Sequence, residues 1–177
     1  RASHNIYWLW AAHVVHHSST KMNFTTAFRQ SLMYPIAGMW VFWTPMVLLG
    51  FSPVTVFTVV ALNLAYQFFV HTQAVDKLGA FEQLFNTPSH HRVHHATNPC
   101  YIDKNYAGVL IIWDKLFGSF VEERKDEPCR FGIVGQITSH NPLVISFHQW
   151  HHLLKSVAQA PGIRPKLKAL LGYPTHE

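Results

Sequence analysis

Residues 30–75 read QSLMYPIAGMWVFWTPMVLLGFSPVTVFTVVALNLAYQFFVHTQAV, and this stretch between Arg29 and Asp76 contains no Asp, Glu, Lys or Arg. A bilayer core takes about 20 helical residues, so the run is long enough to cross twice if the chain turns midway. Gly50-Phe51-Ser52-Pro53 supplies that turn. Gly suits a helix C-cap, Ser52 can accept an N-cap hydrogen bond, and Pro53 stands at a first helical position, where its missing N–H costs nothing. The pattern predicts two antiparallel membrane helices, one over about 25–49 with kinks at Pro35 and Pro45, the other over about 53–72. The expected fold class is an all-α integral membrane protein with a transmembrane helix hairpin. A buried hairpin of a soluble protein would give a similar apolar signal, but seldom over so long a charge-free run.

Composition agrees. The chain has 177 residues, one domain's length, and is 49% hydrophobic but only 13% charged, about half the charged share of an ordinary soluble domain. Cys100 and Cys129 are too few for a disulfide framework or a cysteine-based zinc site. The net charge of +5 comes from scattered Lys and Arg with no interleaved stacking aromatics. That argues against nucleic acid and suits anionic headgroups. The chain opens at Arg1 with neither Met nor a signal-peptide pattern, which reads as a piece of a longer or processed protein.

Outward from the hairpin, Ala2 to Ser18 reads as a helix rich in aromatics and His, and Leu78 to Phe85 and Ser89 to Ala96 as shorter ones. Gly108 to Val121 is expected to be an amphipathic piece on the membrane-facing surface, Glu122 to Glu127 a solvated loop, and Lys155 to Lys168 a basic helical coda near headgroups.

Fourteen His stand against nine acidic residues. His13-Val-Val-His16-His17 and His91-Arg-Val-His94-His95 share the spacing H-x-x-H-H, and helical offsets of three and four return to one face. With His4 before the first triplet and His71 closing the second span, eight imidazoles are expected at one membrane surface. An isolated His is more often a hydrogen-bonded surface or core residue; eight at these spacings favour a metal site. Imidazole suits iron, zinc, copper or nickel, and eight can hold two ions with a coordination position left open. Asp103 or Asp76 are the nearest acids that could fix a ring's tautomer. Trp40, Trp43, Phe68 and Phe69 are candidate substrate-tunnel residues, with packing or interface anchoring as the competing role. His148-Gln-Trp-His151-His152 repeats the spacing but lies in basic surroundings and is read as an interfacial helix; His140 and His176 are read as surface residues.

The run Asn86-Thr-Pro-Ser-His-His-Arg-Val-His-His95, its continuation from Tyr101 to Gly118, and Tyr66-Gln-Phe-Phe-Val-His71 carry a resemblance. The chain resembles the fatty acid hydroxylase, or sterol desaturase, superfamily of membrane di-iron oxygenases, and within it the alkylglycerol monooxygenase branch. The likeness covers most of the chain and weakens through about the last forty residues. It implies metal ligands at His4, His13, His16, His17, His71, His91, His94 and His95, with the first histidine of an H-x(3)-H motif falling immediately before Arg1. His90 and Gln67 would stand beside the ligands, Gln67 where some relatives have another His. The resemblance further implies two iron ions, with zinc an alternative occupant in purified protein, together with dioxygen and an external electron donor. In this branch the donor is a reduced pterin such as tetrahydrobiopterin. The implied partners are a lipid substrate, the bilayer and a redox partner, and the implied location is a bacterial inner membrane or the endoplasmic reticulum. Desaturation or methyl oxidation on the same scaffold, and a non-catalytic metal-binding or transport protein, stay open as other readings.

Overall fold

A computed structural model describes residues 1–174. Ten short to medium α-helices follow one another: α1 (Ala2–Asn5), α2 (Tyr7–His17), α3 (Phe24–Ala27), α4 (Tyr34–Ala37), α5 (Thr44–Leu48), α6 (Pro53–Val70), α7 (Pro88–His94), α8 (Ile112–Leu116), α9 (Pro142–Gln159) and α10 (Ile163–Leu171). Short 3-10 turns cover Met39–Trp43 and Gly79–Gln83. Among the described residues, strand pairing is limited to two isolated bridges, Phe85 with Leu110 and Ala96 with Phe131. The chain is all-α, as its sequence predicts.

The helices belong to two compact units that the chain visits alternately. The first takes residues 1–19, 29–39 and the C-terminal segment from Ile133; the second takes 20–28 and 40–132.

The first unit is built on α2. Ile6, extended at φ −113° and ψ 115°, separates α1 from α2, so the helix predicted over Ala2 to Ser18 is broken at that residue. Nine of the eleven α2 residues are buried, with Ala11 and Ala12 at 0% exposure. Small side chains there let α9 approach closely. Asn141 caps α9 by accepting from the Leu143 N–H at 2.9 Å, and Pro142 opens it. Ile145, Trp150 and Leu153 of α9 join Tyr7, Trp10, Val14 and Val15 in the core. Trp150 packs edge-on to Trp8 with centroids 4.6 Å apart, and Gln149 Nε2 donates to the Tyr7 hydroxyl at 2.8 Å. At the other end Arg29 Nε donates to the Val15 carbonyl at 3.1 Å and to Ser18 Oγ at 3.0 Å, a cation where the helix dipole favours one.

The second unit contains α6. The predicted turn is present: Gly50 adopts φ 97°, Ser52 Oγ accepts from the Thr55 N–H at 3.1 Å, and Pro53 starts the helix. Phe68 of α6 stacks on Phe24 at 4.9 Å and touches Phe28 at 5.3 Å. The eighteen residues of α6 have mean hydropathy 1.6, long and apolar enough to cross a membrane, and only 6% of them are buried by protein.

The first predicted span is not one helix. Phe24–Ala27, Tyr34–Ala37, the 3-10 turn and α5 divide the expected 25–49 rod into four pieces. Gly38, left-handed at φ 78°, ends α4, and Pro35 and Pro45 each sit in a first helical turn, where they start helices instead of kinking one. The only described helix that meets the length and hydropathy of a span is α6.

Two smaller expectations change as well. Within Leu78 to Phe85 only Gly79–Gln83 is helical, as a 3-10 turn, and within Gly108 to Val121 only Ile112–Leu116 is helical. In that piece Trp113, Leu116 and Phe117 face outward as expected of an amphipathic segment, but Asp114 is buried at 3% exposure.

Candidate metal centre

In the first unit, α2 places His13 and His17 one helical turn apart, and the bend at Ile6 returns His4 toward them. The three ring centroids lie 4.7 to 5.0 Å from one another. His13 and His17 face each other through Nε2 atoms 3.2 Å apart, and His13 Nδ1 meets the Tyr34 hydroxyl at 2.7 Å. His16 is 7% exposed, its ring 5.5 Å from those of His13 and His17.

In the second unit, His71 is the C-cap of α6, while α7 and its C-cap supply His91, His94 and His95. His91 Nε2 lies 2.9 Å from His71 Nε2 and 3.2 Å from His95 Nε2. All three of these residues are buried. His71 Nδ1 donates to the Gln67 carbonyl at 2.6 Å, so its Nε2 is the nitrogen that carries the lone pair. His94 Nδ1 donates to the Lys104 carbonyl at 3.2 Å, and burial pushes its pKa down to about 4, so the ring is neutral at pH 7.

This donor set fits a metal ion. With metal–nitrogen bonds of about 2.0–2.1 Å, two ligands at 90° to 110° stand roughly 2.9 to 3.4 Å apart, the range seen between the facing Nε2 atoms in both units. The ligand atoms of His4, His13 and His17 lie within 4.8 Å of one another, as do those of His71, His91 and His95. Each unit can therefore supply at least three ligands to an ion.

Backbone carbonyls and a tyrosine hydroxyl orient these rings. Gln67 acts on His71 through its main chain; its side-chain Nε2 donates to Asn63 Oδ1. Asp103 holds φ 59° in the loop just before Lys104, whose carbonyl accepts the hydrogen bond from His94 Nδ1. His90, 1% exposed, faces the other way: its Nε2 is 3.9 Å from Glu82 Oε2 and its ring packs edge-on to Phe120 at 5.3 Å. Burial lowers the His90 pKa, with Glu82 opposing. Trp40, Trp43 and Phe69 are 61%, 45% and 66% exposed, on the outer surface of the unit, and Phe68 packs in the aromatic group with Phe24 and Phe28.

A buried polar network that the residue pattern does not reveal supports α7. Asn105, fully buried at φ 52°, donates through Nδ2 to the His90 carbonyl at 3.1 Å and to the Val121 carbonyl at 2.8 Å, while its Oδ1 accepts from the Val121 N–H at 2.9 Å. Asn105 lies in the Tyr101 to Gly118 run that carries the family resemblance, and Asn tolerates the left-handed region better than most residues; those are its sequence signals. Asp114 accepts from the Tyr106 and Ala107 N–H groups at 2.9 and 2.7 Å and from Ser119 Oγ at 2.6 Å. Arg92, on α7 between His91 and His94, forks onto Glu123 at 2.6 and 2.8 Å and donates to the Thr72 and Val75 carbonyls at 3.1 and 2.7 Å. It ties the loop after His71 to the helix carrying His91. Burial raises the Glu123 pKa, but the hydrogen bond and charge of Arg92 outweigh it and hold the carboxyl below its ordinary value. Glu123 thus departs from the solvated loop expected of its neighbours.

The third H-x-x-H-H run lies on α9. His148 Nδ1 donates to the Ile145 carbonyl at 2.8 Å, and His151 and His152 are exposed with rings 5.9 Å apart. Among the described residues none of the three joins a metal-ligand group. His140 is exposed; His176 lies outside the described residues.

The chain is 42% identical over 175 residues to alkylglycerol monooxygenase of Homo sapiens, covering 98% of this chain and 38% of that protein. It is 43% identical over 171 residues to alkylglycerol monooxygenase of Danio rerio, covering 96% and 37%. An ornithine lipid hydroxylase of Rhizobium tropici is 28% identical over 138 residues, 77% of this chain and 41% of that protein. The chain thus spans about two fifths of the length of these relatives. No solved structure matches it. The profile of the fatty acid hydroxylase family matches residues 1–119, which include both histidine triplets, His4 and His71, and the chain belongs to that family.

Proposed function

We propose that this chain carries the metal centre of a membrane-bound di-iron monooxygenase that inserts oxygen into a C–H bond of a lipid alkyl or acyl chain. The observation that carries the reading is the facing of His71, His91 and His95 through Nε2 atoms 2.9 and 3.2 Å apart, with the His71 tautomer fixed by the Gln67 carbonyl. In this reading His4, His13, His16, His17, His71, His91, His94 and His95 hold the irons. Bound there, the irons supply oxygen activation: with two electrons and two protons from outside, one oxygen atom of O2 enters the C–H bond and the other leaves as water.

The chain's own residues do the remaining work. The Gln67 and Lys104 carbonyls and the Tyr34 hydroxyl hold the Nδ1 sides of His71, His94 and His13, which makes Nε2 the atom to offer an ion. Burial of the imidazoles keeps water from the centre. The protein leaves α6 bare, with Val54, Phe57 and Leu62 at 75%, 76% and 66% exposure, which supports a lipid-facing span ending at His71. A lipid chain lying along α6 would then approach the ligands from the bilayer side.

The relatives named alkylglycerol monooxygenase favour an ether lipid as substrate. Hydroxylation of the carbon beside an ether oxygen gives a hemiacetal, which breaks into a fatty aldehyde and an alcohol. A reduced pterin such as tetrahydrobiopterin suits the two-electron donor. Metal transport fits less well, because the hydroxyl groups of α6 are used locally: Thr58 donates to the Val54 carbonyl at 2.8 Å and Thr55 bonds Ser52 at 2.9 Å.

Metal analysis of detergent-purified full-length protein, expressed with iron supplied, tests the reading. Two irons per chain, lost with activity in His94→Ala and kept in His152→Ala, is the expected result. Metal-free protein, or zinc alone despite available iron, would overturn it.

A further inference from the structure

Charge divides unevenly between the units. The described part of the first holds Arg1, Arg29, Lys155, Arg164, Lys166 and Lys168 and no Asp or Glu; every acidic residue from Asp76 to Glu127 belongs to the second. Arg29 is spent on the end of α2. Lys155 of α9 and Arg164, Lys166 and Lys168 of α10 are exposed.

Their placement on α10 is ordered. At about 100° per residue, Ile163, Leu167 and Leu171 fall within roughly 80° of one another, and they are 78%, 51% and 55% exposed. Leu170 adjoins this strip and packs on the core of the unit, so it fixes which way α10 is turned. Arg164 and Lys168 flank the strip on one side and Lys166 flanks it on the other. A strip of apolar side chains with cations along both edges matches a layered medium, where the apolar groups enter the acyl region and long basic side chains reach back to phosphates. The lack of any described carboxylate in the unit leaves these cations without an internal counter-charge, so the layer they fit is anionic.

We propose that α10 lies in the headgroup layer of an anionic bilayer, with Ile163, Leu167 and Leu171 among the upper acyl carbons and Arg164, Lys166 and Lys168 on lipid phosphates. The occupant is a phospholipid surface. The inference stands whether or not the histidines bind iron.

Full-length protein in nanodiscs provides the test. A nitroxide at Leu167→Cys, in a Cys100→Ser/Cys129→Ser background, is read for collisions with a water-soluble nickel chelate and with oxygen. In discs of phosphatidylcholine containing phosphatidylglycerol, the label is expected to be shielded from the chelate and open to oxygen. Each cation near an anionic surface strengthens docking by roughly fivefold, so R164E/K166E/K168E shifts the local equilibrium by at least on the order of a hundredfold and exposes the label. Circular dichroism matching the parent shows that the reversed variant is folded. Equal chelate access in both proteins overturns the proposal. So does shielding that persists in the reversed variant and in pure phosphatidylcholine, which would assign the strip to a protein partner or a second copy.

Discussion

The helix bearing His13, His16 and His17 has eleven residues, and its Tyr7, Trp10 and Val14 share a core with Ile145, Trp150 and Leu153 of α9. The helix bearing His91 and His94, with His95 as its C-cap, has seven, and the buried apolar cluster around it is small: Val93, Ala96 and Tyr101, with Val121 and Cys129 half-buried against them. The rest of its support is polar: Asn105 on the His90 carbonyl, Arg92 on Glu123 and two carbonyls, and Asp114 holding the loop that follows Asn105. One spacing of histidines is therefore held by helix packing in one unit and by directional hydrogen bonds in the other. A packed core tolerates loss of a methyl group with its shape roughly kept. A hydrogen-bonded network loses direction when one member goes, because the orphaned groups must find new partners.

The largest expected effect tests the proposed ligands themselves. His94→Ala abolishes activity and removes bound iron, measured by metal analysis and turnover of a long-chain ether lipid, while His152→Ala changes neither. Next comes the packed unit. Leu153→Ala, at a fully buried site, lowers unfolding free energy by about 2 to 5 kcal/mol, read from denaturant midpoints, and leaves the iron affinity of the folded protein within about threefold. A large drop in affinity there would erase the distinction between the units.

Asn105→Ala sharpens it from the other side. Orphaning the His90 and Val121 main-chain groups costs about 1 to 3 kcal/mol, and iron affinity falls by roughly 10- to 100-fold, as when other outer supports of metal ligands are removed. The smallest effect is in pH. The pKa of His94 is depressed to about 4, and that of His90 is lowered as well, both chiefly by burial. Below the unfolded value of about 6.5 the unfolded chain binds more protons, so stability falls as pH drops from about 6.5 toward 4. Metal-free protein should show a melting temperature that declines across that window; a flat profile would contradict neutral burial of these rings.

The two triplets, His71, α6 and the Gly50–Pro53 turn were legible because each rests on a local signal: helical spacing, apolar length, or a Gly-x-Ser-Pro order. The interrupted first span was not. Apolar composition says that a segment avoids water, but the same residues can do so as one rod or as several short helices, and Gly38 decides for the latter through a left-handed φ of 78°. Asp114 misled for a related reason. A carboxylate in an apolar run reads as an exposed break, whereas here three donors from Tyr106, Ala107 and Ser119 make its burial favourable. Such pairings join residues whose neighbours in sequence give no hint of them. The orienting groups of the histidines are hidden in the same way, since two of them are main-chain carbonyls available to any residue type.

The interleaving of the two units bears on how the chain is made. The partner of α2 is α9, and the Gln149–Tyr7 hydrogen bond closes a loop of 142 residues. A ribosome delivers all of the second unit before the helix that covers α2 exists. Until then the side chains destined for burial on α2 have only α1, Arg29 and the short segment around α4 to lie against. Contacts of such long range form slowly, so the first unit finishes late, and a nascent chain stalled before Asn141 presents that face to chaperones or to lipid.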